Sequence, residues 1–246
     1  MSNTSTFSLI FRSIIFMIGE AFATVLIASI GLLLFLMPFK IRYWWITRWS
    51  HFVIWWAKII CGIEYEIIGL ENLPKQNAIV LSKHQSAWET VFFQTLLPPQ
   101  TWVLKQELLW IPFFGWALTL LEPIAINRKR KSAIKQLQEV GTKRLQQGRW
   151  VIIFPEGTRV PPGKKHRYSR SGAALSAASG YPIVPIAHNA GEYWPKNSFI
   201  KHPGKISVCI GPSLSPKKYT VDELHQHSEA WIENRMNEIQ THKSVR

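Results

Sequence analysis

The pattern of apolar and polar positions divides the chain into a hydrophobic N-terminal part and a longer alternating part. Residues Ala21–Phe39 form a stretch of 19 residues without a charged side chain, and the apolar character extends back to Ile14 with only Glu20 interrupting it. A helix of about 20 apolar residues, at a rise of about 1.5 Å per residue, crosses a hydrocarbon core of about 30 Å. The segment therefore predicts a membrane anchor.

The next segment, residues 40–60, interleaves tryptophans with cations: Trp44, Trp45, Trp49, Trp55 and Trp56 with Lys40, Arg42, Arg48 and Lys58. Both side-chain types favour the headgroup layer, which predicts an interfacial helix. The pattern leaves open whether the first helix spans the bilayer or folds back with the second as a hairpin in one leaflet. A secretory signal and a pair of core helices in a soluble protein are the alternative interpretations.

After residue 62, short apolar runs alternate with helical patterns. The predicted helices are Ser132–Gln147, which has an apolar stripe through Leu137 and Leu145, and Val221–Gln240. The predicted strands are Glu64–Gly69, Ala78–Ser82, Trp102–Lys105, Pro123–Asn127, Trp150–Phe154, Ile183–Ala187 and Lys205–Ile210.

Strands separated by helices predict an α/β fold, a mostly parallel sheet covered by helices. We therefore expect anchoring helices over residues 1–61 and an α/β domain over residues 62–246. In such sheets ligands lie beyond the carboxyl ends of the strands. Chemistry should accordingly be sought in the residues that directly follow each strand.

Composition narrows the possible chemistry. With 47% hydrophobic residues in 246, the chain can form a substantial core and is not of the disordered or collagen-like class. Its two cysteines, Cys61 and Cys209, are too few for a disulfide framework or a structural zinc site. Asp222 is the only aspartate, so a catalytic carboxylate in the first 220 residues must be a glutamate, which excludes an aspartate-based two-metal site.

Positive charge is concentrated in one block. The formal net charge is +14, and residues Arg128–Arg170 carry 13 Lys or Arg against two glutamates. Such a block predicts a polyanionic partner: nucleic acid, an anionic membrane surface or phosphorylated substrates. Composition alone does not choose among these, but the N-terminal apolar segment favours the membrane.

Polar groups follow several strands. His84 comes directly after a buried strand, and Glu89 lies five residues later on a predicted helix. This spacing lets the carboxylate reach one ring nitrogen and leaves the other nitrogen as a proton acceptor, an arrangement typical of a general base and its orienting group. Each feature taken alone also has a structural interpretation: a surface pair for His84 and Glu89, a solvated charge run at Arg128, and a turn at Pro155–Gly157.

Together, these features resemble the glycerolipid acyltransferases, specifically the bacterial 1-acylglycerol-3-phosphate (lysophosphatidate) acyltransferases, from the tryptophan-rich segment to Ile210. Their His-x4-Asp motif is matched by His84 to Glu89, with Glu in place of Asp, and their Phe-Pro-Glu-Gly-Thr-Arg motif is complete at Phe154–Arg159. A short strand ending in Asn-Arg matches Ile124–Arg128, and an apolar pair before proline matches Ile183–Pro185. The segment that begins at Lys105 resembles the family's Lys-x-Glu-Leu segment.

The resemblance implies transfer of an acyl chain from acyl-CoA or acyl-carrier protein to the sn-2 hydroxyl of 1-acyl-glycerol-3-phosphate, giving phosphatidate for phospholipid biosynthesis. His84 would act as the general base, and Glu89 would hold its tautomer and stabilise the imidazolium. No cofactor, no metal and no covalent acyl-enzyme are required. Ser86 is a rival nucleophile, but it lacks the Gly-x-Ser-x-Gly surroundings typical of that role.

For the acceptor phosphate, Arg128 and Arg159 would form a bidentate clamp, with Lys105 as a point charge. Glu156 would contact the glycerol hydroxyl or orient Arg159, and backbone N–H groups of Gly157 and Thr158 would hold phosphate or the oxyanion.

The expected partners are lysophosphatidate, the acyl donor and membrane lipids, with no nucleic acid. The expected location is the cell inner (cytoplasmic) membrane, with the active site facing the cytosol. Two other functions remain open: acylation of another lysolipid, and a catalytically silent module that binds anionic lipid or nucleic acid.

Overall fold

A seven-stranded sheet forms the centre of the protein in the computed structural model, which describes residues 5–126 and 133–240. Each strand overlaps one predicted from the sequence. The strands are β1 (Ile63–Ile68), β2 (Ile79–Ser82), β3 (Gln100–Lys105), β4 (Ile124–Ile126), β5 (Trp150–Ile153), β6 (Ile183–His188) and β7 (Gly204–Ile210).

The strand order is β1-β7-β6-β2-β5-β3-β4, and every neighbouring pair is parallel except β6 and β7. The central strand β2 is buried along its whole length, as its continuous apolar run predicts. Leu81 of β2 is level with Ile153 of β5 and Pro185 of β6. The residues that follow these three strands therefore meet at one edge of the sheet.

Helices cover both faces of this sheet. They are α1 (Thr6–Leu33), α2 (Phe39–Trp56), α3 (Trp88–Leu96), α4 (Phe114–Leu120), α5 (Ala133–Gln146), α6 (Ser171–Ser179), α7 (Ala190–Tyr193) and α8 (Val221–Ile239), with a π-helical turn at Ala57–Cys61 and 3-10 turns at Leu70–Asn72 and Gln106–Trp110. One hydrophobic core lies between the sheet and α2, α3 and α4, and includes Val80 and Phe92. The other lies under α5, α6 and α8, and includes Leu81 and Leu137. The fold is thus the predicted α/β arrangement, with one antiparallel pair that the pattern did not predict.

The two N-terminal helices form an antiparallel hairpin. The first begins at Thr6, earlier than the uncharged segment predicted, and ends at Leu33, and Pro38 is the N-cap of the second. The residue before a proline is disfavoured in the helical conformation, so Pro38 favours a break between two helices at this point. The indole of Trp45 donates a hydrogen bond to the carbonyl of Ile27 at 3.0 Å, which ties the two helices together.

Helix α1 also packs on the α/β domain. The hydroxyl of Ser13 accepts a hydrogen bond from the backbone N–H of Lys201 at 3.0 Å. The ring of Phe16 is fully buried and meets Trp194 edge to face, with ring centroids 5.0 Å apart. One side of α1 therefore packs on the α/β domain near its first turns and on α2 further along.

The opposite side of α1 is exposed and apolar. Within residues 5–126 and 133–240, α1 is the one helix long and apolar enough to cross a membrane by length and composition. Large apolar side chains exposed on α1 and on the loop after it include Phe7, Phe11, Ile14, Ile18, Phe22, Leu26, Leu33, Phe35 and Leu36.

A cluster of three arginines around one carboxylate joins α2 to the amino ends of β4 and β5. The carboxylate of Glu122 lies 2.9 Å from Arg42 of α2, 2.8 Å from Arg144 and 3.0 Å from Arg149. Burial opposes the charge on Glu122, but the arginines outweigh it, so the pKa of Glu122 is held below its ordinary value. We call these four residues the Glu122 cluster.

Both cysteines are free thiols in buried positions, Cys61 at the end of the π-helical turn and Cys209 in β7. Burial raises the pKa of the Cys61 thiol to about 11. Burial likewise raises the pKa of the Cys209 thiol.

Candidate active site

The candidate site begins where β2 ends. Successive residues of a strand point to opposite faces of the sheet, so Lys83 and His84 diverge although they are neighbours in sequence. His84 contacts Glu89 of α3 on one side, whereas Lys83 contacts Glu233 of α8 on the other. The side chains of the two residues that follow β2 therefore point to the helical layers on opposite faces of the sheet.

The imidazole of His84 is held by the carboxylate of Glu89. His84 Nδ1 lies 2.9 Å from Glu89 Oε1, and the same oxygen accepts the backbone N–H groups of Gln85 and Ser86, each at 2.8 Å. Glu89 lies in the first turn of α3, where the helix dipole also favours a negative charge. The glutamate, one methylene longer than aspartate, therefore reaches the histidine without losing the backbone contacts.

The environment keeps Glu89 ionised although its side chain has no exposed surface. Burial by itself raises the pKa of Glu89, but the nearby His188, the contact with His84 and the N–H of Ser86 outweigh it and hold the pKa below its ordinary value. Burial lowers the pKa of His188, whose Nε2 lies 2.8 Å from the carbonyl of Lys83. A carboxylate on Nδ1 fixes the His84 tautomer that carries its proton there. Nε2 of His84, which makes no hydrogen bond within the described residues, is then a proton acceptor.

The loop after β5 fixes the position of His84 from the other side. The carboxylate of Glu156 accepts the backbone N–H of His84 at 2.8 Å, and the backbone N–H of Val160 donates to the His84 carbonyl at 2.7 Å. The ring of Phe154 stacks on the imidazole with centroids 4.0 Å apart. Backbone and ring of His84 are therefore both restrained, and its side chain keeps 16% of its surface exposed.

Comparisons with known proteins agree with this geometry. Residues 64–189 match the sequence profile of the family described as Acyltransferase, a range that contains His84, Glu89, Phe154 and Glu156. This chain belongs to that family. It is 49% identical over 209 residues to a 1-acyl-sn-glycerol-3-phosphate acyltransferase of Pseudomonas aeruginosa, covering 83% of this chain and 81% of that protein.

A plant relative and a solved structure extend the comparison. The chain is 31% identical over 225 residues to a 1-acyl-sn-glycerol-3-phosphate acyltransferase of Limnanthes alba, covering 86% of this chain and 78% of that protein. The crystal structure of a 1-acyl-sn-glycerophosphate (LPA) acyltransferase from Thermotoga maritima superposes with a TM-score of 0.75 over 95% of this chain and 98% of that one. At 23% identity, this likeness shows the shared fold.

The residues predicted to bind the acceptor phosphate of this acyltransferase lie at or near the protein surface wherever the structure describes them. Arg159 is half-buried and makes no ion pair with a carboxylate in the described part of the chain, and Lys105 and Thr158 are exposed. These three side chains are thus available to a ligand. Arg128 lies outside the described residues.

The Glu156 carboxylate and the Gly157 N–H contact other groups of the protein. Glu156 is 3% exposed; one carboxylate oxygen holds the His84 N–H and the other lies 2.7 Å from Lys83 Nζ. Burial raises the pKa of Glu156, opposed by Lys83. Gly157 has a φ of 70°, a left-handed conformation that favours glycine, and its N–H donates to the carbonyl of Phe154 at 3.0 Å. In this structure, the Glu156 carboxylate and the Gly157 N–H thus both have contacts within the protein, and their predicted contacts with substrate stay predictions.

Sequence reasoning missed the partners of Glu156. Lys83 is 1% exposed and lies between Glu156 and Glu233. Tyr168 donates its hydroxyl to Glu233 at 2.9 Å. The lysine directly after an apolar strand was a usable signal, because a cation at a buried strand end requires a carboxylate partner. Nothing in the spacing indicated which carboxylate, since Glu233 lies 150 residues further along the chain.

Proposed function

We propose that this acyltransferase transfers an acyl chain from an acyl thioester to the sn-2 hydroxyl of 1-acyl-glycerol-3-phosphate, giving phosphatidate. The observation that carries the proposal is the His84–Glu89 pair, which presents Nε2 as a proton acceptor at the edge of the sheet. The names of the relatives support the choice of substrate.

In the proposed reaction His84 Nε2 removes the proton of the sn-2 hydroxyl while the oxygen attacks the thioester carbonyl. The C–O bond forms, the C–S bond breaks, and the thiol leaves with the proton that His84 carried. Such a base contributes about 10²- to 10⁴-fold to the rate. Glu89 stabilises the imidazolium without contacting substrate, because its side chain has no exposed surface.

A covalent acyl-enzyme is not part of the proposal. The Ser86 hydroxyl is buried and accepts the backbone N–H of Trp88 at 3.1 Å, a helix-start contact rather than the placement of a nucleophile. Both cysteines are buried away from His84, one in the π-helical turn and one in β7. These positions favour direct transfer.

For the acceptor phosphate we propose Arg159 as a bidentate contact and Lys105 as a point charge, with Arg128 as a further cation. The acyl donor is proposed to be acyl-CoA or acyl-carrier protein. The basic block of residues 128–170 suits both the phosphates of CoA and the acidic surface of acyl-carrier protein. Acylation of another lysolipid is the alternative that the assay below separates.

The hairpin is proposed to anchor the enzyme in one leaflet of the inner membrane, with the active site on the cytosolic side. The face of α1 opposite Ser13 and Phe16 is apolar and exposed, whereas a helix crossing the bilayer alone would not lie along the domain. Trp116 of α4, a helix that packs on α1, is 44% exposed, and Trp110 of the 3-10 turn that packs on α4 is 77% exposed. Tryptophans at such a boundary suit the headgroup layer.

The catalytic proposal is tested with purified protein and a panel of lysolipids that differ in headgroup, each assayed with acyl-CoA and with acyl-carrier protein and read out by product mass. We expect phosphatidate as the main product and loss of at least about 10²-fold in turnover for His84→Ala. Wild-type turnover by a correctly folded His84→Ala variant would refute the assignment of the base. A preference for another headgroup would refute the substrate.

The membrane proposal is tested by fractionation of full-length protein at low and high salt. Ile18→Asp and Phe22→Asp place charges on the exposed face of α1 and should release protein from membranes. Ile134→Asp, at an exposed position on α5, is the control and should remain bound. Wild-type protein that is removed by salt alone would refute the anchor, since buried apolar contacts are not screened by salt.

A further inference from the structure

A group of polar side chains centred on the buried Lys83 lies behind His84, the proposed base. Lys83 Nζ is 2.7 Å from Glu156 Oε1 and 2.9 Å from Glu233 Oε1. The same Glu233 oxygen accepts the hydroxyl of Tyr168, and Lys83 Nζ lies 5.8 Å from the centre of the Tyr168 ring. We call Lys83, Glu233 and Tyr168 the Lys83 unit.

The Lys83 unit reaches His84 through Glu156. The second oxygen of that carboxylate accepts the backbone N–H of His84 at 2.8 Å. Lys83 also precedes His84 directly in the chain, and its own carbonyl is held by His188 at 2.8 Å. A continuous set of polar contacts therefore runs from α8, on one face of the sheet, to the backbone of a residue whose side chain lies on the other.

Lys83 meets two carboxylates, those of Glu156 and Glu233. Among the described residues Lys165 is a further cation of this group, with its Nζ 3.7 Å from Glu233 Oε2 at the surface. Burying such ions costs free energy that their attraction barely recovers, so a buried ion pair is weak evidence for a role in stability. A buried polar network also rigidifies the structure around it, so the contribution to examine here is a fixed geometry.

We propose that the Lys83 unit positions the catalytic base: Lys83, held by Glu233 of α8 and Tyr168, fixes the Glu156 carboxylate at the His84 N–H and so keeps the imidazole over Glu89. The proposal rests on the proposed role of His84. These are positioning residues, since none of them contacts the reacting atoms.

The first test compares Glu233→Gln with Glu238→Gln, an exposed position on the same helix that undergoes the same change of charge. For Glu233→Gln we expect a kcat about three- to tenfold below wild type, with both KM values within about twofold, because the base is displaced and the substrate contacts are not. Glu238→Gln should match wild type. Equal kcat values for the two variants, or a change confined to KM, would overturn the proposal.

The second test separates positioning from stability. Lys83→Met leaves two carboxylates without their cation and should lower the melting temperature together with kcat. In the double variant Lys83→Met with Glu233→Gln one of those charges is gone, so stability should return toward wild type while kcat stays at least about tenfold low. A stable double variant with wild-type kcat would show a merely structural role and overturn the proposal. If Lys83→Met does not fold, the Glu233→Gln comparison decides.

The variants distinguish the role of His84 as the base from the role of the Lys83 unit in positioning it. An active His84→Ala enzyme removes the proposed base and with it any unit that positions it. An inactive His84→Ala enzyme together with a wild-type kcat for Glu233→Gln removes the positioning role alone.

Discussion

Replacing Glu89 by Gln removes one charge from the His84–Glu89 pair, the proposed base and its partner, with little change of shape. The amide oxygen can still accept the N–H groups of Gln85 and Ser86, each now 2.8 Å from Glu89 Oε1. The amide nitrogen would take the place of Glu89 Oε2, which has no hydrogen-bond partner among the described residues. The variant should therefore fold, with a loss of about 1–3 kcal/mol from the unsatisfied amide.

The effect on the rate follows from the distance between the charges. With Nδ1 and Oε1 2.9 Å apart, the charge centres of an imidazolium and a carboxylate are about 4 Å apart, where their attraction is about 4 kcal/mol at an effective dielectric constant of about 20. Between half and all of this is expressed in the transition state, a loss of about 2–4 kcal/mol. That corresponds to a fall in kcat of about 30-fold to 10³-fold.

The assay is thiol release at saturating lysophosphatidate and acyl donor, with both KM values measured separately. The KM values should remain within about twofold of wild type, because a side chain without exposed surface does not contact substrate. Glu139→Gln, an exposed position on α5, is the control for loss of a carboxylate. If folded Glu89→Gln keeps more than about a third of wild-type kcat, the imidazolium does not depend on this charge and the reasoning is wrong.

Three further predictions concern binding and stability. Arg159→Ala should raise the KM for lysophosphatidate about tenfold and leave the KM for the donor unchanged, since the acceptor carries the phosphate; equal shifts in steady-state kinetics would count against the phosphate contact. Glu122→Gln should cost about 1–3 kcal/mol at pH 7 in urea denaturation, because three arginines lose their anion. As the pKa of Glu122 is depressed, this difference should shrink as the pH falls below the ordinary value of 4.5 and the wild-type carboxylate takes up its proton, and a pH-independent difference would contradict the assignment. Gly19→Val should lower the melting temperature, since a side chain there collides with the indole of Trp56, and an unchanged temperature would argue against this helix contact.

Local patterns predicted the elements of the fold well. The predicted helix Ser132–Gln147 corresponds to Ala133–Gln146 in the described residues, and Val221–Gln240 corresponds to Val221–Ile239. Such segments carry their own start and stop signals, for example Thr220 and Glu223, which form a capping box at the start of α8. The antiparallel pairing of β6 with β7 had no comparable signal, because strand order depends on contacts between distant segments.

The difference between contacts within one segment and contacts between distant segments also explains what could be predicted of the site. His84 and Glu89 lie five residues apart, and this spacing together with the motifs after the neighbouring strands indicated their contact, which the structure has at 2.9 Å. Glu156 contacts Lys83, which follows β2, and Lys83 contacts Glu233 of α8; no spacing rule joins these residues. The Glu122 cluster was likewise not predicted, because its arginines come from separate helices and a strand end. The roles assigned to Lys105, Arg128 and Arg159 stay predictions.

The burial of both cysteines has a practical consequence for reagents. A thiol reacts as its thiolate, and burial with a raised pKa makes Cys61 and Cys209 slow toward electrophiles at neutral pH. The thiol released from a CoA donor can therefore be followed continuously with a chromogenic disulfide against a low background from the protein. For the same reason a cysteine introduced at position 18, on the exposed face of α1, would be labelled selectively by maleimide dyes without removing the native pair. The wild-type background is thus already suited to fluorescence measurements that test the proposed insertion of the hairpin into a bilayer.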